Sequence, residues 1–174
     1  MKICDTVNSK LYKNDRAILH SDCNCFYASV ECLLNPNIRD LPVAVSGDAE
    51  NRHGIILAKN EEAKKYNIKT GEAIWQAKKK CPQLLTVPAR LDVYKKFSDK
   101  VRRIYSDYTD MVEPFGLDEA WLDISEDYKN DALTIAKEIS QRVKDEIGIT
   151  VSIGVSFNKI FAKFGSDYKK PDAI

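Results

Sequence analysis

No run of about 18 apolar residues occurs anywhere in the 174-residue sequence, which excludes a chain built around a membrane-spanning helix. The first residues, "MKICDTVNSKLYKNDR", also lack the apolar core of a secretory signal. A cytoplasmic protein with no membrane partner is expected. Histidine is scarce, with two residues, and the five cysteines at 4, 23, 25, 32 and 81 include no CxxC pair. That leaves neither a disulfide framework nor the spacing of a zinc site, and His20, Cys23, Cys25 and Cys32 are the only group that could be imagined around zinc. Charge of one sign is missing too: 27 basic residues face 26 acidic ones. A uniformly basic nucleic-acid surface is therefore excluded, and any such surface must be local. No internal repeat or low-complexity tract is present.

What is present is enough apolar material for a core, 44% of residues, in a chain of one-domain length. "AILHSDC" (17–23) reads as a buried strand ending at Asp22, and "FYASVECLL" (26–34) as a helix. "NPNIRDLP" (35–42) is a loop with two prolines, followed by the strands "PVAVSG" and "GIILA". Asn60 is placed to cap a short helix, with Glu61 and Glu62 in its first turn. A second helix over 72–81 sets Ile74, Ala77 and Cys81 on one face, and Trp75 and Trp121 are expected in the core. Val93, Phe97, Val101, Ile104, Tyr108 and Met111 mark a longer amphipathic helix. Ala132 to Ile147 mark another, closed by Gly148. "VEPF" and "AWLDIS" form a strand pair turning near Gly116 to Glu119, and "ITVSIGVSF" (149–157) is a β-branched strand.

With residues 26–90 set aside as a small α/β insert, the order is strand, helix, strand, strand, helix, strand. That is the ferredoxin-like βαββαβ arrangement of an α+β protein. It bears on "GLDEAWLDIS" (116–125), which holds adjacent carboxylates, Asp118 and Glu119, among apolar residues. Such a pair is either a solvated turn or a cation site, because crowded carboxylates repel and resist desolvation. A third oxygen ligand would favour the second. In this topology the first strand lies beside the hairpin, so Asp22 supplies a candidate. Three carboxylates with no thiolate suit Mg²⁺ or Mn²⁺, and two such ions could activate a hydroxyl and stabilise a leaving pyrophosphate. The implied chemistry is nucleotidyl transfer.

"HSDCNCFYASVE", "RHGIILAKNEEAKK", "VEPFGLDEAWLDIS" and "SIGVSFNKIFAKFGSDYKKP" occur in this order and resemble the palm and fingers of Y-family DNA polymerases. This is the translesion group to which bacterial DNA polymerase IV and the ImpB/MucB/SamB proteins belong. The resemblance implies an extension at 1–16, the first palm strand at 17–25, fingers at 26–90 and the rest of the palm at 91–174, with thumb and little finger outside the chain. It further implies template-directed addition of deoxynucleotides to a primer 3′ end across damaged DNA, with two Mg²⁺ ions that Mn²⁺ can replace. Primer–template DNA and deoxynucleoside triphosphates are the implied partners. A sliding clamp, reached through regions outside this chain, is another.

By the same resemblance Asp22 and Asp118 bridge both metals, Glu119 serves the catalytic metal, and Cys23 offers its backbone carbonyl. Tyr27 falls at the steric gate under the sugar, with Phe26 closing that pocket. Lys170 and Lys64 fall where the family binds the triphosphate. Lys64 replaces an arginine there and loses its bidentate fork, while Glu61 replaces a phosphate-binding tyrosine and Asn24 a common aspartate. The basic runs at 78–80, 95–96 and 102–103 are solvated faces or template contacts. Two other readings use the same residues: a palm-fold nucleotide cyclase, and a degenerate polymerase relative acting as a binding or regulatory module. The insert at 26–90 counts against the first and the intact carboxylates against the second.

Overall fold

The structure is a computed structural model that describes residues 16–47, 54–126 and 131–174. Arg52 and His53 of the second motif lie outside the described residues, as does the expected extension apart from Arg16. In chain order the elements are β1 (Ile18–Cys23), α1 (Phe26–Leu34), a 3-10 turn (Pro36–Ile38), β2 (Val43–Ser46), β3 (Ile56–Lys59), α2 (Glu61–Lys64), α3 (Ile74–Lys80), β4 (Leu85–Pro88), α4 (Leu91–Ser106), β5 (Val112–Phe115), β6 (Glu119–Asp123), α5 (Ala132–Ile147), β7 (Val151–Ser156) and α6 (Lys159–Tyr168). They form two compact units, one running to Asn24 and resuming at Ser98, the other spanning Cys25–Phe97.

The first unit is an antiparallel sheet in the order β5-β6-β1-β7, the arrangement expected of a split βαβ fold. The strand period of two divides its side chains into unlike faces. Leu19, Cys23, Ala120, Leu122, Val151 and Ile153 are buried and share one face with Ser21. The Tyr105 hydroxyl of α4 donates to Ser21 Oγ at 2.8 Å on that side. Helix α5 packs against β7 and buries Ala136, Ile139 and Val143 completely. Removing a side chain such as Ile139 or Val143 from water contributes about 1.5–3 kcal/mol. Gly148, at φ 86°, closes α5 through its N–H to the carbonyls of Val143 and Lys144.

The opposite face carries His20, Asp22, Glu119, Trp121 and Gly154, and α6 lies on it against β7 and β1. Its seat is Gly154, where a Cβ would stand 1.8 Å from the Ala162 carbonyl oxygen and 2.5 Å from the Ser166 nitrogen. Only a glycine lets the helix backbone come this close. Trp121, expected in the core, is half-buried here, tilted against the His20 ring at 4.9 Å with Nε1 donating to the Lys159 carbonyl.

The second unit holds a sheet in the order β3-β2-β4, with β2 antiparallel to β3 and parallel to β4. A parallel pair needs a crossover, which here runs through β3, α2 and α3. Ala44, Ile56, Ala63, Ile68, Ala77, Cys81 and Leu84 form the core, with Ile74 against it. Asn60 caps α2 as expected, its Oδ1 accepting from Ala63 N at 2.9 Å. The same oxygen accepts from Val43 N at 3.0 Å and Nδ2 donates to the Leu41 carbonyl at 2.7 Å, so the cap also holds β2.

Besides Trp121, two expectations are corrected. Trp75 is 52% exposed rather than core, because Ile74, Ala77 and Cys81 take the inward face of α3, and Lys79 Nζ sits 4.7 Å from its ring centroid. Met111 lies beyond the end of α4 and is exposed, while Tyr94, absent from the proposed stripe, is fully buried. Strand β4 and helix α6 stand in addition to the elements expected from the sequence.

Glu31 of α1 is buried and accepts from Arg90 Nε at 3.0 Å, Arg90 Nη2 at 2.5 Å and the Tyr94 hydroxyl at 2.7 Å. Removing one member of such a set leaves the others unsatisfied. Glu31→Ala is expected to destabilise by about 2–3 kcal/mol in a denaturant melt. That is less than the ~3–5 of a fully buried pair because water partly reaches Arg90.

Candidate metal and nucleotide site

The register of β1 against β6 makes Asp22 and Glu119 direct cross-strand partners. Between β5 and β6 the chain turns at Gly116, which takes φ 68° and so needs a residue without a Cβ. Two bonds then fix that turn at the end of β1: Cys23 N donates to the Asp118 carbonyl at 2.9 Å, and Arg102 Nη2 donates to the Gly116 carbonyl at 2.6 Å. Asp22, Asp118 and Glu119 are thus gathered at one end of the sheet. Burial raises the Asp22 carboxyl above its usual range despite Lys170, and burial followed by the charge of Asp22 raises Asp118. Both acids carry a like-charge load that a cation would relieve.

Part of that load is met by ammonium groups. Lys170 Nζ stands 2.5 Å from Asp22 Oδ2 and 2.7 Å from Asp167 Oδ1. Glu119 Oε2 pairs with Lys163 and lies 3.0 Å from Nε2 of His20, whose ring is wholly buried and whose Nδ1 meets Ser166 Oγ at 2.8 Å. Burial, reinforced by Lys163, lowers the His20 pKa. No cation pairs with Asp118 among the described residues. Nor, among them, do three His, Cys, Asp or Glu side chains converge as a ready-made metal cage. The donors facing this end of the sheet are oxygens suited to a hard cation. The Cys23 thiol instead lies with Tyr105 on the apolar face, where burial pushes it up as an acid.

Sequence reasoning found the carboxylates and Lys170 but not Lys163, Ser166 or the bond from His20. The available signal was the i, i+3, i+7 spacing of Lys163, Ser166 and Lys170, which aligns them on one side of α6 and its continuation. Asn24 is buried, with Nδ2 donating to Thr150 Oγ1 at 3.1 Å and Oδ1 accepting from Ser152 Oγ at 2.9 Å. These bonds tie the end of β1 to the start of β7.

Phe26, Tyr27 and Lys64 belong to the second unit. Phe26 is buried, and Tyr27 stacks on Tyr94 at 4.3 Å and 13°. The Glu31 bond in turn fixes Tyr94, so the Tyr27 ring is held against an anchored neighbour. Lys64 Nζ lies 2.7 Å from Glu61 Oε1, and the Cys25 Sγ donates to the same oxygen at 3.1 Å. Of the basic runs, Lys80 is engaged by Glu72 at 2.6 Å.

The model of the impB/mucB/samB family matches residues 21–167. The DNA polymerase IV of Acetivibrio thermocellus is 61% identical over 161 residues, covering 91% of this chain and 40% of the relative. That of Bacteroides fragilis is 45% identical over 163 residues, covering 92% and 44%. Among solved structures, DinB from Sulfolobus solfataricus superposes with a TM-score of 0.86 at 31% identity, covering 91% of this chain and 48% of its own. An insertion ternary complex of Dbh DNA polymerase also reaches 0.86, at 30% identity and the same coverage. The chain therefore spans less than half the length of the relatives it matches. The matched region takes in Asp22, Asp118 and Glu119 and most of the four ordered motifs, and the chain belongs to the impB/mucB/samB family, and so to the Y-family DNA polymerases.

Proposed function

We propose that residues 17–25 and 91–174 act as the palm and residues 26–90 as the fingers of a translesion DNA polymerase. The reaction would be template-directed transfer of a deoxynucleotide to a primer 3′ hydroxyl, with release of pyrophosphate. One observation carries this reading: strand register and a glycine turn gather Asp22, Asp118 and Glu119 at one sheet end, with Lys170 paired to Asp22. Asp22, Asp118 and the Cys23 carbonyl would hold two Mg²⁺ ions, or Mn²⁺ in their place, and Glu119 would hold the one nearer the primer. Those ions supply the charge that activates a hydroxyl and stabilises a leaving pyrophosphate.

The chain's own residues have separable tasks. Lys170 would exchange Asp22 for the triphosphate tail as cation density arrives, and Lys64 would meet the same phosphates from the fingers. Glu119, oriented by His20, would accept hydrogen-bonding and charge from the primer end. Tyr27, braced by Tyr94 and flanked by Phe26, would bar a 2′-hydroxyl. Contact with a sliding clamp is assigned to parts of the full-length protein other than these residues.

Mn²⁺ broadening of backbone NMR signals tests the site without DNA. Loss of signal centred on Asp22, Asp118 and Glu119, extending to Lys170 and Lys64 when a deoxynucleoside triphosphate is added, is the expected result. No broadening in either condition would favour a binding module without catalysis. In the full-length protein, Tyr27→Ala is expected to raise ribonucleotide incorporation roughly tenfold or more, the scale set by one steric clash in a pocket. An unchanged ratio in a primer-extension assay would remove Tyr27 from that role.

A further inference from the structure

The side chain assigned to the triphosphate in the second unit is not free to receive it. Lys64 Nζ sits 2.7 Å from Glu61 Oε1, and that oxygen also accepts from the Cys25 thiol at 3.1 Å. The pair alone would be an ordinary i,i+3 surface contact on a helix, which is worth little. The thiol changes its character, because Cys25 lies 36 residues away at the head of α1 in a left-handed conformation, φ 51°. A donor from another element thereby holds the Glu61 rotamer against Lys64. Lys59 is half-buried nearby with Nζ on Thr70 Oγ1 at 3.2 Å, and Glu61 and Lys64 both act on its charge. Burial and Lys64 together weaken its hold on a proton.

We propose that Glu61 is a specificity-determining latch: its carboxylate, held by Cys25, occupies Lys64 and must be displaced by the phosphate tail of an incoming nucleotide. This rests on the reading of Lys64 as a triphosphate ligand. Nucleoside triphosphate affinity is then set by competition between two anions for one ammonium group. The compact charge of lysine can serve one of them well but does not offer two parallel donors. The latch acts on the phosphates and not on base or sugar. It lowers affinity most for the most highly charged ligand and leaves a nucleoside without phosphate unaffected.

The test compares dissociation constants of deoxyadenosine triphosphate, diphosphate and deoxyadenosine, with Mg²⁺ present, for the chain and for Glu61→Gln, Lys64→Met and the double variant. Glu61→Gln keeps the shape and removes the charge, and circular dichroism confirms each fold. Glu61→Gln is expected to tighten the triphosphate by about three- to tenfold, the scale of one partly exposed charge pair together with relief of like-charge repulsion. The gain should be smaller for the diphosphate, absent for deoxyadenosine, and lost in the Lys64→Met background. An unchanged or weakened triphosphate constant in Glu61→Gln, with Lys64→Met still weakening binding, overturns the latch and leaves the nucleotide site standing. A gain that survives Lys64→Met also overturns it, because Glu61 would then repel phosphate without involving Lys64. If the chain itself binds no triphosphate, the nucleotide-site reading fails and the latch fails with it.

Discussion

Asp118→Asn is expected to lower primer extension by the full-length protein on the order of 10³-fold or more while making the metal-free chain more heat-stable. The loss follows from the several kcal/mol of charge stabilisation that a bound ion supplies during transfer, each ~1.4 kcal/mol being a factor of ten. The gain follows from the same geometry. Asp118 has no paired cation among the described residues, and burial and Asp22 hold its carboxyl above the usual range. A raised carboxyl binds more protons folded than unfolded, so its contribution to stability falls as pH rises through the raised value. The amide removes that penalty. A rise of about 2–4 °C in melting temperature at neutral pH corresponds to about 1 kcal/mol in a domain of this size. The difference from wild type should shrink as the pH is lowered towards the unfolded carboxyl range. Added Mn²⁺ should stabilise the wild type and not the variant. An equal or lower melting temperature for Asp118→Asn at neutral pH would mean that the carboxylates are not in conflict, and normal extension would end the metal-site reading.

This opposition between stability and function explains which parts of the site were legible in the sequence. Paired acids in an apolar strand are costly, so Asp118 and Glu119 announce themselves, and the strand order then brings in Asp22. Gly116 and Gly148 carried equally local signals, since each sits where a positive φ is required. What the pattern could not show were partners set by approach between elements. Lys163 meets Glu119 because α6 lies on the sheet, and nothing in its local sequence names that carboxylate, whereas His20 is set diagonally beside Glu119 by the same β1–β6 register that pairs Glu119 with Asp22. Glu61 could be recognised as a departure, but its direction depended on Cys25 at the head of another helix. Trp75 is the converse case: the inward stripe of α3 is legible in the sequence, but residue type alone does not show that the large aromatic beside it faces water. Tyr94 keeps helical spacing with Ser98, Val101 and Tyr105, the stripe that is buried in place of Val93 and Phe97, and its hydroxyl is satisfied there by Glu31.

The second large effect concerns Gly154, and it shows how the polar face of the sheet is kept in register. A Cβ added there would stand 1.8 Å from the Ala162 carbonyl oxygen and 2.5 Å from the Ser166 nitrogen, both rigid backbone. On the helix side, a Cβ at Gly165 would lie 3.2 Å from Gly154 Cα, so the two glycines form one contact. Neither side can yield by a rotamer change, and α6 would have to lift. Gly154→Ala is therefore expected to cost about 3 kcal/mol or more, at or above the upper end for overpacking a well-filled interior. The melting temperature should fall by about 6–12 °C. Lifting α6 would also withdraw Ser166 from His20, Lys163 from Glu119 and Lys170 from Asp22, so extension should fall well beyond what the lost stability explains, even at a temperature where the variant is folded. Gly47→Ala is the control, because among the described residues nothing lies within 4 Å of its added Cβ and its φ is not positive; it should melt within about 0.5 kcal/mol of wild type. If Gly154→Ala matched that control in both melting and extension, α6 would not be seated on β7 as described, and the cations it presents to the carboxylates would have to be placed some other way.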